Sequence, residues 1–254
     1  MLSTLFQTPK KLLSIYFTAG YPKLDDTTTI ITALEKSGVD FIEIGMPFSD
    51  PLADGPVIQH SSTVAIENGM SAHLLFEQLS GIRGSVTIPL IIMGYFNTMM
   101  QFGVEKFLKK CKEVGIDGLI IPDLPVDVYI SDYRQMFESN GVSAIFLVTP
   151  QTPEERIRKI DSVSTGFIYL VSSAAITGNN SGFTEAQREY FERIYKMRLR
   201  NPLVAGFGIH DRSTFEAATE FTSGAIVGSA FIRHLDQSGT DAIGNFIRQF
   251  DYID

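Results

Sequence analysis

Short apolar runs alternate with stretches of helical periodicity along the chain. The runs are Leu13–Thr18, Phe41–Ile44, Pro89–Met93, Gly118–Ile121, Ser143–Val148, Phe167–Val171, Leu203–Ala205 and Ala225–Val227. Each is mostly β-branched or aromatic and is bounded by Gly, Pro, Asp or Ser, the composition of a strand between turns. They are continuous apolar runs, not apolar–polar alternations, which fits parallel strands buried on both faces. Between them, Thr27–Lys36 places Ile30, Ile31 and Leu34 at helical spacing, and Val104–Val114 places Val104, Phe107, Leu108 and Cys111 on one stripe. Pro153–Ile160 begins after Thr152, which the pattern predicts as N-cap, with Pro153 at the first helical position. Helical patterns follow at Glu185–Leu199, Ser213–Thr219 and Ala242–Phe250.

Eight strands alternating with helices predict an α/β fold with a parallel sheet and crossover connections. A single closed (β/α)8 TIM barrel over residues 1–254 is the leading solution, and a doubly wound open sheet is the other. The chain's 254 residues agree with the ~250 typical of one such barrel. Gly38-Val39-Asp40 before the second strand is echoed by Gly115-Ile116-Asp117 before the fourth, and both read as helix-to-strand turns with Gly as helix cap.

The net charge of −8 removes the electrostatic footprint of a nucleic-acid or anionic-membrane binder. An anionic substrate therefore needs local help from helix N-termini or backbone N–H groups. The one cysteine, Cys111, excludes a disulfide framework and a CxxC metal site, and fits a cytoplasmic setting. Lys10 and Lys11 before the apolar run Leu12 to Ala19 are weakly signal-peptide-like. They stand behind Pro9 with no small-x-small cleavage site, so the run is read as the first strand. No stretch approaches the ~18 apolar residues of a membrane span.

Three features carry chemistry. Glu43 stands inside the apolar strand Phe41–Ile44, near the C-terminal strand end where barrel enzymes keep their catalytic groups. Burial there raises a carboxyl pKa and suits it to proton transfer near neutral pH; a structural Glu paired with a buried cation is the alternative. Asp54 lies on a loop stiffened by Pro47, Pro51 and Pro56, with Gly55 as a turn residue. A positioned catalytic acid and ordinary turn chemistry both explain Asp50 and Asp54. Gly206-Phe207-Gly208 and Gly228-Ser229 follow strands seven and eight, where barrels commonly build a phosphate site from backbone N–H groups. Simple chain turning is the alternative. His60, His73, His210 and His234 have no metal-ligand spacing and read as surface or capping residues. Asp123 ends strand four and faces either the site or a partner. Tyr16, Tyr95, Tyr169 and Phe207 near strand ends are either core or pocket lining.

The run Phe41-Ile42-Glu43-Ile44-Gly45-Met46-Pro47-Phe48-Ser49-Asp50-Pro51-Leu52-Ala53-Asp54-Gly55-Pro56-Val57-Ile58-Gln59 resembles the hallmark stretch of the tryptophan synthase alpha subunit family. The likeness extends to Phe17–Pro22, Gly94-Tyr95-Phe96-Asn97, Pro122-Asp123-Leu124-Pro125 and both Gly loops. It implies a cytoplasmic lyase of tryptophan biosynthesis that cleaves indole-3-glycerol phosphate to indole and glyceraldehyde 3-phosphate by a retro-aldol step. No metal or organic cofactor is needed for that step. The resemblance assigns Glu43 as general acid–base and Asp54 as stabiliser of charge at the indole nitrogen. Tyr16, Met93, Tyr169, Thr177 and Phe207 fall on substrate positions, and Gly178, Gly208, Gly228 and Ser229 on phosphate contacts. Asp50, Asn97, Asp123 and Pro125 fall on the face that docks a PLP-dependent beta subunit in an allosteric α2β2 heterotetramer, with PLP belonging to the partner.

The loop after strand six departs from the family pattern. Ala175 stands where a glycine is expected and Asn180 where an arginine is expected, while Thr177 and Gly178 match. The missing Gly narrows the backbone and the missing Arg removes a cation near a phosphate-bearing substrate. Three readings stay open at this stage. One is an ordinary lyase, and another is an impaired alpha subunit acting mainly as allosteric activator of its beta partner. The third, another phosphate-binding barrel enzyme such as an isomerase or aldolase, is disfavoured because no strand carries a lysine for a Schiff base.

Overall fold

The computed structural model describes residues 2–51, 54–171, 184–206 and 208–250, and in it every one of the eight apolar runs forms a strand. The strands are β1 (Leu12–Thr18), β2 (Phe41–Gly45), β3 (Leu90–Met93), β4 (Gly118–Ile120), β5 (Ser143–Val148), β6 (Ile168–Val171), β7 (Leu203–Gly206) and β8 (Gly224–Val227). All pair in parallel in sequence order, and β8 pairs with β1, so the barrel closes and the open-sheet alternative fails. Closure explains the absence of alternation: each strand has side chains in the barrel interior and side chains under the helices, and neither face meets water.

The helices are α1 (Leu2–Leu5), α2 (Asp26–Lys36), α3 (Pro56–Glu67), α4 (Ala72–Gln78), α5 (Phe96–Phe102), α6 (Val104–Val114), α7 (Val126–Val128), α8 (Arg134–Asn140), α9 (Glu154–Val163), α10 (Glu185–Lys196), α11 (Arg212–Thr219), α12 (Ser229–Ser238) and α13 (Ile243–Arg248). Each of the longer ones buries an apolar stripe on the barrel; α6, for example, buries Phe107, Leu108, Cys111 and Val114. The N-cap expected at Thr152 is corrected. Helix α9 starts at Glu154 with Pro153 as N-cap, in extended backbone at ψ 152°. The Thr152 hydroxyl instead accepts from the Thr149 N–H at 2.9 Å, closing the turn out of β5. Helix α10 stops at Lys196, short of Leu199, and Arg198 beyond it has a positive φ of 50°.

The echo at Asp40 and Asp117 is a repeated turn. Gly38 and Gly115 adopt left-handed φ values of 86° and 80°. Each following Asp then reaches across the barrel floor: Asp40 accepts from the Leu13 N–H at 2.8 Å and Asp117 from the Leu90 N–H at 3.0 Å. Lys10 and Arg83 neutralise the two carboxylates. The same lower end is plugged by Phe6, whose ring packs on Phe41 and Phe167 at 6.3 and 5.7 Å. With the floor sealed by aromatics, the barrel opens at the C-terminal strand ends.

Candidate active site

Those strand ends surround a cavity of about 670 Å³. Its wall joins Glu43 and Asp54 to Tyr16, Met93 and Tyr169, and to Gly208, Gly228 and Ser229. Nearly all the described residues singled out as catalytic, substrate-binding or phosphate-binding in the sequence therefore meet in one place, although they come from six different strand ends or loops. Thr177, Gly178 and Phe207, like Ala175 and Asn180, lie outside the described residues.

Glu43 is fully buried on β2, opposite Tyr16 of β1 and Ile91 of β3. Among the described residues neither of its carboxyl oxygens has a hydrogen-bond partner. Among those residues no cation pairs with it, so the structural alternative of a buried salt bridge has no support. Burial first, and the nearby Asp54 second, push its pKa from 4.5 up to about 8. Asp54 is partly exposed and lines the same pocket. Burial raises it to about 6, against the hydrogen bond from Tyr95, which lowers it. The phenols of Tyr16 and Tyr169 are pushed well up by burial, with further repulsion from Asp54 at Tyr16 and from Glu43 at Tyr169. Two carboxyls in one cavity thus prefer opposite protonation states near pH 7.

The loop that carries Asp54 is held from several sides. The Asp54 N–H donates to the Pro51 carbonyl at 2.9 Å. Gln59, on the first turns of α3, donates from its amide to the Asp54 carbonyl at 2.9 Å. Tyr95 donates its hydroxyl to Asp54 Oδ2 at 3.3 Å, and its ring stacks on Phe48 at 4.7 Å. The expectation that Gly55 supplies a special turn is corrected. It sits in ordinary extended backbone at φ −75°, with open space around it, as N-cap of α3. Room for the pocket comes from other glycines. A Cβ on Gly45 would overlap the Tyr16 ring, and one on Gly206 would overlap Tyr169. Gly206 is therefore a packing glycine, whereas Gly208 and Gly228 open onto the cavity.

Gly228 is the N-cap of α12, and Ser229 is its first residue. A helix N-terminus with free N–H groups thus faces the cavity, an arrangement that suits an anion. Among the described residues, no group of three His, Cys, Asp or Glu side chains could hold a metal ion. His60, His73 and His210 are exposed, and His234 contacts the Ala242 carbonyl at 3.1 Å. His210 also lines the cavity. Asp50, Asn97, Asp123 and Pro125 are all exposed at this same end, Asn97 on the first turn of α5 and the others on loops. Asp123 accepts from the Phe96 N–H at 2.8 Å and so ties the β4 loop to the start of α5.

Sequence reasoning missed four contributors. Tyr95 reads from sequence as core or pocket lining, yet it is a direct partner of Asp54. Gln59 lies within the hallmark stretch but carries no signal of its own. Arg156 and Arg233 also line the cavity; Arg233 follows Ser229 by four residues, hence on the same helix face, which is the one clue the sequence offers.

Known proteins resemble this chain along nearly its whole length. The family model described as "Tryptophan synthase alpha chain" matches residues 2–250. The tryptophan synthase alpha chain of Christiangramia forsetii is 63% identical over 243 residues, covering 96% of this chain and 95% of that one. That of Parabacteroides distasonis is 54% identical over 242 residues, 95% of this chain and 94% of the other. Among solved structures, the alpha subunit from Legionella pneumophila superposes with a TM-score of 0.88 at 31% identity, covering 99% of this chain and 97% of that one. A chain of the tryptophan synthase complex from Pyrococcus furiosus superposes with a TM-score of 0.86 at 31% identity, covering 95% and 98%. A closed barrel, a paired-carboxyl cavity at its open end and likeness along nearly the full length lead to one conclusion: the chain belongs to the tryptophan synthase alpha chain family.

Proposed function

We propose that the chain cleaves indole-3-glycerol phosphate to indole and glyceraldehyde 3-phosphate, with Glu43 and Asp54 as the catalytic pair. The observation that carries this reading is their unequal state in one cavity: a buried Glu43 with pKa about 8 and an Asp54 with pKa about 6. Near pH 7 Glu43 holds its proton and donates it to indole C3. Asp54 is ionised and stabilises the positive charge that appears at the ring nitrogen. The Glu43 carboxylate then takes the proton from the glycerol hydroxyl next to the breaking bond. The C–C bond cleaves, its electron pair returns to the indole ring, and the aldehyde forms as Glu43 regains its starting state. Tyr16, Met93 and Tyr169 supply apolar walls for the indole. Gly208, Gly228 and Ser229, with the α12 N-terminus, receive the phosphate, and the family resemblance assigns Thr177 and Phe207 to substrate binding and Gly178 to the phosphate.

No cofactor enters this step, since two carboxyls handle both proton transfers; PLP belongs to the beta partner. Docking through Asp50, Asn97, Asp123 and Pro125 supports an α2β2 assembly, in keeping with the tryptophan synthase complex from Pyrococcus furiosus among the structural relatives. Residues 1–254 act as one domain. Among the described residues no helix is long and apolar enough to cross a membrane; a cytoplasmic site of action is in keeping with the free, buried Cys111 and with a biosynthetic enzyme of this family. The test is cleavage in D2O: the indole released must carry deuterium at C3 and match glyceraldehyde 3-phosphate one to one. Indole without C3 label, or no indole at saturating substrate, would reject the mechanism or the activity.

A further inference from the structure

Eleven arginines stand in the chain, and nine of them are engaged. They form ion pairs, as Arg83 does with Asp117 and Arg188 with Glu220, bind backbone carbonyls, as Arg193 and Arg200 do, or lie over a ring, as Arg198 does on Tyr195. Arg156 and Arg233 differ. Among the described residues neither makes a hydrogen bond, ion pair or ring contact, and these are the two arginines on the wall of the 670 Å³ cavity. Both are exposed, which puts them at the mouth, whereas fully buried Glu43 lies at the floor.

Their placement is not explained by helix stability. Arg156 occupies the first turn of α9, where the helix dipole disfavours a cation. Glu154, on the same turn, pairs with Arg158 and leaves Arg156 unmatched. Arg233 follows Ser229 by one turn on α12, on the same helix face, and lines the same cavity. The acidic side chains lining the cavity are Glu43 and Asp54. The cavity is thus polarised, with acids deep inside and cations at its mouth, in a chain whose net charge is −8. A dianion approaching such a chain is repelled at long range unless a local patch reverses the field.

We propose that Arg156 and Arg233 form a cationic mouth that captures the phosphate of the substrate and hands it to the backbone N–H groups at Gly208, Gly228 and Ser229. The proposal rests on the phosphorylated substrate class given above. The arginines act on capture and orientation: with the phosphate held at the mouth, the apolar end of the substrate is directed down to the carboxyls. They take no part in proton transfer.

The experiment replaces each arginine, and then both, by glutamine. It reads steady-state cleavage of indole-3-glycerol phosphate against NaCl concentration, and calorimetric binding of glycerol 3-phosphate to the same proteins. For exposed charges at a mouth, kcat/KM is expected to fall about fivefold for either single change and about 20-fold for both. The loss should sit in KM, the salt dependence should flatten, and glycerol 3-phosphate affinity should drop in parallel. Arg→Lys replacements should restore most of the loss, because steering needs charge more than fork geometry. Since neither arginine has a partner among the described residues, urea midpoints should stay with the parent, which separates capture from folding. A double Gln variant that binds glycerol 3-phosphate as tightly as the parent, with the same salt slope, overturns the proposal. A parent that binds glycerol 3-phosphate through these arginines yet releases no indole supports the capture site and rejects the proposed reaction instead.

Discussion

Replacing Glu43 by Gln should stabilise the fold at alkaline pH while removing its chemistry. The carboxyl is fully buried, and among the described residues neither oxygen has a partner; its pKa rises from 4.5 to about 8. Below pH 4.5 it is protonated in both folded and unfolded chains and adds no pH-dependent cost. Between about 4.5 and 8 the unfolded chain releases the proton and the native chain retains it, so native stability falls with pH. At about 1.36 kcal/mol per unit, the accumulated loss by pH 8 is roughly 5 kcal/mol. Above pH 8 the buried group ionises in place and the loss levels off. Gln has nearly the same shape and a constant polar cost at every pH, so it removes the slope without adding one. Urea unfolding at pH 5, 6.5 and 8.5 reads this directly. The stability of the Gln variant relative to the parent should climb by several kcal/mol over that range. A pH-independent offset between the two proteins would refute the reasoning, because it would mean that Glu43 titrates alike folded and unfolded.

The kcat/KM profile should be bell-shaped, with an acid limb near pH 6 as Asp54 becomes ionised and an alkaline limb near pH 8 as Glu43 loses its proton; Asp54→Asn should abolish the acid limb and nearly all activity. Tyr95→Phe deletes the donor that lowers the Asp54 pKa, so its acid limb should move to higher pH, with a larger activity loss at pH 6 than at pH 7.5. Gly206→Ala forces a methyl into the Tyr169 ring and should cost about 1–3 kcal/mol of stability, visible in thermal melts, together with weaker substrate binding. A Gly206→Ala protein melting with the parent would show that the ring has room to move.

The architecture was legible because a parallel barrel buries both faces of each strand, and such strands announce themselves as apolar runs. Element ends were less so. Thr152 has the residue type of an N-cap, but its hydroxyl is taken by the Thr149 N–H, a competition that local pattern does not reveal. Glu43 was visible as a carboxyl where the core should be apolar, and the family resemblance named its role. Its partners were harder to see. Tyr95 reaches Asp54 from a different strand end, and Arg156 shares a cavity with Ser229 only because the barrel closes. Gly206 and Gly45 look alike in sequence to phosphate-loop or turn glycines, yet their function is to leave space for tyrosine rings from neighbouring strands. Contacts between strand ends far apart in sequence depend on closure and register, which residue type alone does not encode.

The most direct test of the central claim is indole release from indole-3-glycerol phosphate by this chain saturated with a cognate beta subunit, beside Glu43→Gln under the same conditions. Loss of the buried acid–base group should lower turnover at least about 100-fold while the variant remains folded and still binds glycerol 3-phosphate. Equal turnover by the two proteins would contradict the assignment of Glu43, and an absence of indole from both would contradict the lyase reading itself.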